Sequence, residues 1–289
     1  MTTERDPSAD AQPVILTPVT PTPVILTTVA DRIGTITLNR PDRRNALDPE
    51  LIGALHDAVA QMADDDEVKV VVLTGVAPEG ALGGFCSGGD TKAGAAAREE
   101  GSVDARSLLG VPADALTGDL ARHDDHAAMR LHMMPKPTIA MVGGPAVGAG
   151  CSLAAACDFR FASPDAVFAA SFTANGLSGD YGGTFFWTQI IGTARTRELY
   201  LLNDKIPAHR ALALGMVHDV VPAEDLQEYT YAIARRLVRT PASLLALVKD
   251  NLNQAEYDID RRRHLFANEA ENQQQSKADI QARAARRRP

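Results

Sequence analysis

The chain has 289 residues, 45% of them hydrophobic, and a formal net charge of −8. That is enough to bury a sizeable α/β core, and the acidic balance argues against a nucleic-acid partner. No apolar run approaches the ~18 residues of a membrane span, and the first residues lack the basic-then-apolar order of a secretory signal. Cys86, Cys151 and Cys157 cannot all pair and have no metal-ligand spacing with histidine, so a reducing, cytoplasmic setting and no bound metal are expected.

Residues 1–22 read as a disordered Thr/Pro-rich tail, in which Pro13-Val14-Ile15-Leu16-Thr17 anticipates the repeat Pro23-Val24-Ile25-Leu26-Thr27. Val24 to Val29 and Gly34 to Leu38 are rich in β-branched residues, which predicts a hairpin turned at Asp31-Arg32. Asp48-Pro49-Glu50 opens a helix with an N-cap acid and proline at the first position, and Leu51, Leu55, Val59 and Met62 give it one apolar face. Val68 to Leu73 has the near-continuous apolar character of a strand buried on both faces. Between Lys92 and Arg122 periodicity is poor, as in a long loop.

Thr138 to Val142, Phe159 to Ala162 and Val167 to Ala169 read as strands, and Cys151 to Cys157 as a short buried helix. Strands alternating with helices imply right-handed crossovers in a mainly parallel sheet. Beyond Thr184 the pattern is helical apart from Met216 to Val221, and Gly215 suits a left-handed cap after Ala208 to Leu214. Arg261-Arg262-Arg263 and Arg286-Arg287-Arg288 make the C-terminal end basic, a pattern that usually marks solvated surface.

Two glycine-rich segments carry the chemistry: Phe85-Cys86-Ser87-Gly88-Gly89-Asp90, and Gly143 to Ser152 containing Gly148-Ala149-Gly150. Each follows a buried strand and precedes a helix-like stretch. Small residues let a ligand approach the backbone, and N–H groups at a helix start lack internal partners and carry partial positive charge. Side by side, two such turns can aim two donors at one oxyanion. Neither segment has the G-x-G-x-x-G order of a dinucleotide site, and no G-K-[ST] follows for a phosphate loop. Turns of this kind can also serve only to relieve crowding, so residue chemistry alone stops at an anion or oxyanion site on an α/β sheet.

Asn39-Arg40-Pro41-Asp42-Arg43-Arg44-Asn45-Ala46-Leu47 resembles the N-R-P-x-x-x-N-A-L signature of the crotonase (enoyl-CoA hydratase/isomerase) family. Residues 85–90 are similar to that family's F-x-[AS]-G-x-D turn, and Met134-Pro135-Lys136-Pro137-Thr138-Ile139-Ala140 with Gly148-Ala149-Gly150 resembles its second turn. Ala156-Cys157-Asp158, Gly182-Gly183-Thr184 and Ala211 to Val217 extend the match in order. The resemblance implies an α/β crotonase (ClpP-like) spiral of ββα units over 23–203, with a C-terminal helical trimerisation region over 204–289. It implies oxyanion-hole N–H groups on Ser87 and Ala149. It places Arg44, Ala46, Gly88, Gly89, Asp90 and Gly150 near the CoA moiety. It also implies an acyl-CoA thioester substrate that brings its own coenzyme A, no separate cofactor, and a homotrimer or hexamer.

The resemblance further implies which acids to seek. Hydratases of the family use two glutamates, whose positions here hold Ser152 and Phe172. Family isomerases carry an aspartate in G-L-x-x-D-x-G-G, which Gly176-Leu177-Ser178-Gly179-Asp180-Tyr181-Gly182-Gly183 is similar to. Asp180 is thus expected to carry a proton between carbons of an enoyl-CoA, in a pocket bordered by Phe172 and by Phe185, Phe186 or Trp187, where burial would raise its pKa. The bland alternative for Asp180 is a cap on the following helix. Hydration by Asp180 alone is the runner-up activity; a non-catalytic CoA- or RNA-binding homologue is the alternative outside enzymes. His132 reads as structural, and His123 and His126 as loop residues within reach of the site.

Overall fold

The computed structural model describes residues 23–77, 82–90 and 126–256; the N-terminal tail, the 92–122 segment and the arginine runs lie outside these. Strands β1 (Ile25–Ala30) and β2 (Ile33–Leu38) pair antiparallel around Asp31-Arg32. Both turn residues have positive φ, 52° and 63°, the type I′ backbone whose twist suits a two-residue hairpin. Helix α1 (Pro49–Asp64) starts where Asp48 accepts the Leu51 N–H at 2.9 Å, and its buried side chains include Leu51, Leu55, Val59 and Met62.

The later strands are β3 (Val70–Val76), β4 (Leu82–Gly84), β5 (Thr138–Val142), β6 (Pro145–Val147), β7 (Phe159–Ala162), β8 (Val167–Ala169), β9 (Ile206–Pro207) and β10 (Asp219–Val220). Among the described residues the main sheet runs β1-β2-β3-β5-β7-β10, with β4 also on β3. From β2 to β10 the neighbours in this order are parallel. A smaller sheet sets β6 parallel to β8 and β9 antiparallel to β8. The helices after α1 are α2 (Ala127–Met133), α3 (Ala149–Ala156), α4 (Gly183–Arg197), α5 (Ala208–Ala213), α6 (Leu226–Val238) and α7 (Ala242–Glu256).

Strand β3 shows why its sequence lacks alternation. Val71 and Leu73 join the core beneath α1 and α3, while Val70 and Val72 join a second core that includes Leu226 and Ala234 of α6. A strand covered on both faces needs apolar side chains at every position. Four short strands depart from the sequence expectation, β4 among them because Leu82–Gly84 carries no strand-like run. The Gly-rich stretch after β5 contains β6, and the region after Thr184, expected to be helical, contains β9. Pro207 in β9 lacks a donor, which an edge strand tolerates. The strand expected over Met216 to Val221 shrinks to β10.

Helix α3 is buried at every position, so its ends must be satisfied by the protein. At the C-terminal end, Arg160 Nη1 donates to Cys157 O at 2.5 Å and Ala155 O at 3.4 Å, and its Nε to Met216 O at 2.8 Å. Burial pulls this guanidinium down to about 10, still charged at neutral pH. Helix α7 is clamped by Lys249, whose Nζ donates to Asp158 Oδ2 at 2.7 Å and to the carbonyls of Leu131 and Lys136 at 3.2 and 3.0 Å. No helix among the described residues is long and apolar enough to cross a membrane.

Candidate active site

The 39–47 motif works as a bracket for the first turn. Buried Asn45 accepts the Arg40 N–H at 2.9 Å through Oδ1, and its Nδ2 donates to Val76 O at 3.0 Å and Phe85 O at 2.8 Å. The Arg40 guanidinium holds Asp48 at 2.8 Å, Asp90 at 3.3 Å, and the Ala46 carbonyl. Backbone bonds complete the seam: Leu47 N to Gly88 O and Asp90 N to Leu47 O, both 2.8 Å. Asp90, expected near the CoA moiety, therefore ties the first turn to the signature motif. Arg44 is exposed with a left-handed φ of 51°, and Ala46 is buried.

The two glycine-rich turns abut. Cys86 N donates to Pro145 O at 3.2 Å and Val147 N to Cys86 O at 2.9 Å. A Cβ on Gly150 would lie 2.2 Å from Cys86 O, and one on Gly88, whose φ is 89°, would lie 2.7 Å from Val147 O. Both glycines are thus required by the junction itself. Gly150, expected beside CoA, faces the Cys86 carbonyl. Gly89 is exposed, and a Cβ there would meet nothing within 4 Å.

The two expected donors stand differently. Ala149 opens α3 after Gly148, so its N–H has no acceptor within the helix. The Ser87 N–H donates to the Arg44 carbonyl at 3.1 Å. An acyl oxygen bound there would share or displace that acceptor. The contact joins residues 43 positions apart through backbone atoms, which no side-chain pattern reveals.

Asp180 sits at the head of a strained turn. Gly183 N donates to Asp180 O at 3.2 Å, and Tyr181 and Gly182 both have positive φ, 54° and 68°. This is a type I′ turn, whose central positions favour glycine, asparagine or aspartate; tyrosine there is uncommon and signals strain. One carboxylate oxygen of Asp180 is buried from solvent. Its charge reaches the first turn and its own neighbour. Burial first, and then Asp180, push the Tyr181 hydroxyl well above its ordinary range. Burial likewise lifts the Cys86 thiol to about 12, partly opposed by the Gly88 N–H, with Asp180 adding to the rise.

The positions of the expected glutamates are filled by packing. Ser152 is fully buried, and its Oγ would lie 2.2 Å from a Cβ on Gly183, with Tyr200 Oη 2.3 Å from the same point. Helix α4 thus starts directly against α3, leaving no room for a glutamate at 152. Phe172 borders the second turn, 4.0 Å from the Cβ position of Gly148, and stacks on Tyr200 at 5.9 Å. Phe185, Phe186 and Trp187, expected as pocket walls, turn into the core instead: Trp187 packs on Phe168, and both phenylalanines on His132. A helix turns 100° per residue, and without knowing where α3 lies its sequence does not say which face meets the site.

His132, expected to be structural, packs against Phe185 and Phe186. It is buried, and its Nε2 lies 3.0 Å from Glu256 Oε2, near enough for an ion pair though not aligned as a hydrogen bond. His123 lies outside the described residues. His126 caps α2, its Nδ1 accepting the Ala128 N–H at 3.3 Å, and meets the Tyr181 ring edge-on at 4.3 Å. Cys86 and Cys151 are packing residues, and burial lifts the Cys151 thiol to about 12.

A mixed sheet feeding two abutting backbone-lined turns, with a buried helix rising from the second, is the crotonase fold. The enoyl-CoA hydratase/isomerase family profile matches residues 28–287, and the chain belongs to that family. It is 34% identical over 232 residues to the 1,2-epoxyphenylacetyl-CoA isomerase of Escherichia coli strain K12, covering 80% of this chain and 82% of that protein. Among solved structures, an enoyl-CoA hydratase from Mycobacterium avium subsp. paratuberculosis superposes with a TM-score of 0.73 at 28% identity, covering 89% of this chain and 95% of that one. The enoyl-CoA hydratase from Mycobacterium smegmatis gives 0.69 at 29% identity, over 89% and 100% of the two chains.

Proposed function

We propose that the chain is an enoyl-CoA isomerase that shifts a carbon–carbon double bond with Asp180 as its proton carrier. The observation that carries this reading is the type I′ turn that opens on Asp180, within electrostatic reach of Cys86, while Ser152 and Phe172 fill the places of the hydratase glutamates. The relative named as an isomerase acts on a 1,2-epoxyphenylacetyl-CoA, and the relatives and solved neighbours named as hydratases make hydration the competing outcome.

In the proposed reaction the thioester oxygen of a 3-enoyl-CoA meets the Ala149 N–H at the start of α3 and the Ser87 N–H released from Arg44. Asp180 takes a proton from C2, the negative charge spreads over the dienolate, and the same carboxyl returns the proton at C4 to give the 2-enoyl thioester. The coenzyme A arrives with the substrate, and exposed Arg44, with Ala46, Gly88 and Gly89 beside it, lies where its moiety would run. No separate cofactor is called for, and a trimer or hexamer is the assembly we expect. Each oxyanion donor is worth about 3 kcal/mol of barrier, and a placed general base about 10²–10⁴ in rate. Purified protein given 3-enoyl-CoA should form the 2-enoyl isomer, and Asp180→Asn should lose that activity while keeping its fold. Full turnover by Asp180→Asn would sink the assignment.

A further inference from the structure

The Asp180 turn is held in a conformation that its own sequence disfavours, and the side chain responsible is visible. Tyr181 occupies the first central position of a type I′ turn with φ 54°, a backbone that glycine adopts freely and an aromatic residue rarely does. Glycines flank the Asp180-Tyr181 pair, Gly179 at φ 146° and Gly182 at φ 68°, so the surrounding chain can follow whatever Tyr181 imposes. What Tyr181 gains is burial: it is only 4% exposed, and the His126 ring stands against it at 4.3 Å and 79°.

His126 is itself fixed. It is 5% exposed, and its Nδ1 receives the Ala128 N–H as the cap of α2, which puts the proton of the neutral ring on Nε2. Helix α2 packs through Ala128 and Leu131 into the same core as α3. A continuous path thus runs from the helix that carries Ala149, through α2 and His126, to Tyr181 and the adjacent Asp180.

We propose that His126 and Tyr181 are positioning residues for the isomerase reaction: their edge-to-face contact locks the type I′ turn and fixes the Asp180 carboxylate relative to the second oxyanion turn. This deepens the isomerase reading and rests on it. A base that must serve two carbons of one substrate tolerates little misplacement, because an error of about 1 Å can cost roughly 10²-fold in rate. The consequence falls on the chemical step more than on binding, since neither ring is needed to hold the CoA moiety.

Three variants separate this role from simple support of the fold. His126→Asn keeps a side chain able to cap α2 but removes the ring. Tyr181→Gly accommodates the positive φ without strain but removes the contact, and Tyr181→Phe keeps the contact. In steady-state conversion of 3-enoyl-CoA, with melting temperature measured alongside, His126→Asn and Tyr181→Gly should lower kcat by about tenfold or more with KM within about twofold, and Tyr181→Phe should restore most of kcat. Wild-type kcat in His126→Asn would overturn the proposal even if Tyr181→Gly fails to fold. Equal rises in KM with kcat unchanged would overturn it too. Asp180→Asn in the same assay keeps the two levels apart: an active Asp180→Asn refutes the isomerase assignment itself, whereas an inactive one beside fully active His126→Asn refutes only the positioning role.

Discussion

Replacing Gly150 by alanine would add one methyl group at the point where the two turns touch. That carbon would stand 2.2 Å from the Cys86 carbonyl oxygen and 2.7 Å from Cys86 Cβ. Non-bonded heavy atoms settle at about 3.5 Å, so the turns must part by roughly 1 Å. The obstacle is backbone oxygen, so no rotamer change relieves it, and trimming Cys86 does not help. Overpacking of this kind costs about 3 kcal/mol, and a displacement near 1 Å between the donor turns should lower kcat/KM by roughly 10²-fold. Gly53, exposed on α1 with nothing within 4 Å of its Cβ position, is the control: Gly53→Ala should gain about 0.5–1 kcal/mol from helix propensity alone. Chemical denaturation and 3-enoyl-CoA turnover, run on both variants, supply the comparison. A Gly150→Ala protein as stable and as active as the parent would mean that the turns do not need their close approach.

The remaining predictions concern the frame and its pH response. Asn45→Asp would turn a carboxylate toward the carbonyls of Val76 and Phe85, costing about 3 kcal/mol at neutral pH; because the buried carboxyl would hold its proton, part of that loss should return on acidification, seen as a higher denaturation midpoint near pH 4 than near pH 7 relative to the parent. Lys249→Met would leave the half-buried Asp158 carboxylate without its cation and should cost about 3–5 kcal/mol in the same assay. Cys86, Cys151 and Cys157 are each raised by burial from 9.0 to about 12, so the folded state holds these protons more tightly than the unfolded chain does. Their contribution to stability is then full below pH 9 and lost as pH climbs toward 12; replacing all three with alanine should flatten the alkaline fall in stability, and an unchanged slope would contradict it.

Local chemistry made several elements legible in the sequence. Asp48-Pro49-Glu50 marks the start of α1 because capping is decided within four residues, the β-branched runs mark β1 and β2, and short apolar stretches mark the largely buried β5, β7 and β8. The features missed depend on distant partners. Strand β6 is three residues long and begins with proline, so it has no periodicity to detect, and β9 exists only because β8 offers it an edge. The site divides the same way. The positions of both turns and of Asp180 could be read from motifs, whereas the Ser87 N–H bond to Arg44 and the inward turn of Phe185, Phe186 and Trp187 are set by tertiary packing. His126 reads from sequence as a loop residue within reach of the site, but its partner Tyr181 lies 55 positions later. The positive φ of Tyr181 leaves no trace in its residue type.

The central claim, that Asp180 moves a proton on an enoyl thioester held by the two turns, is tested most directly by giving 3-enoyl-CoA and 2-enoyl-CoA side by side to the parent protein and to Asp180→Asn. The account predicts that the parent converts the 3-enoyl substrate to the 2-enoyl isomer much faster than it hydrates the 2-enoyl substrate, and that Asp180→Asn loses the conversion. Rapid hydration of the 2-enoyl thioester with no isomerisation, or an Asp180→Asn protein that isomerises at the parent rate, would contradict it.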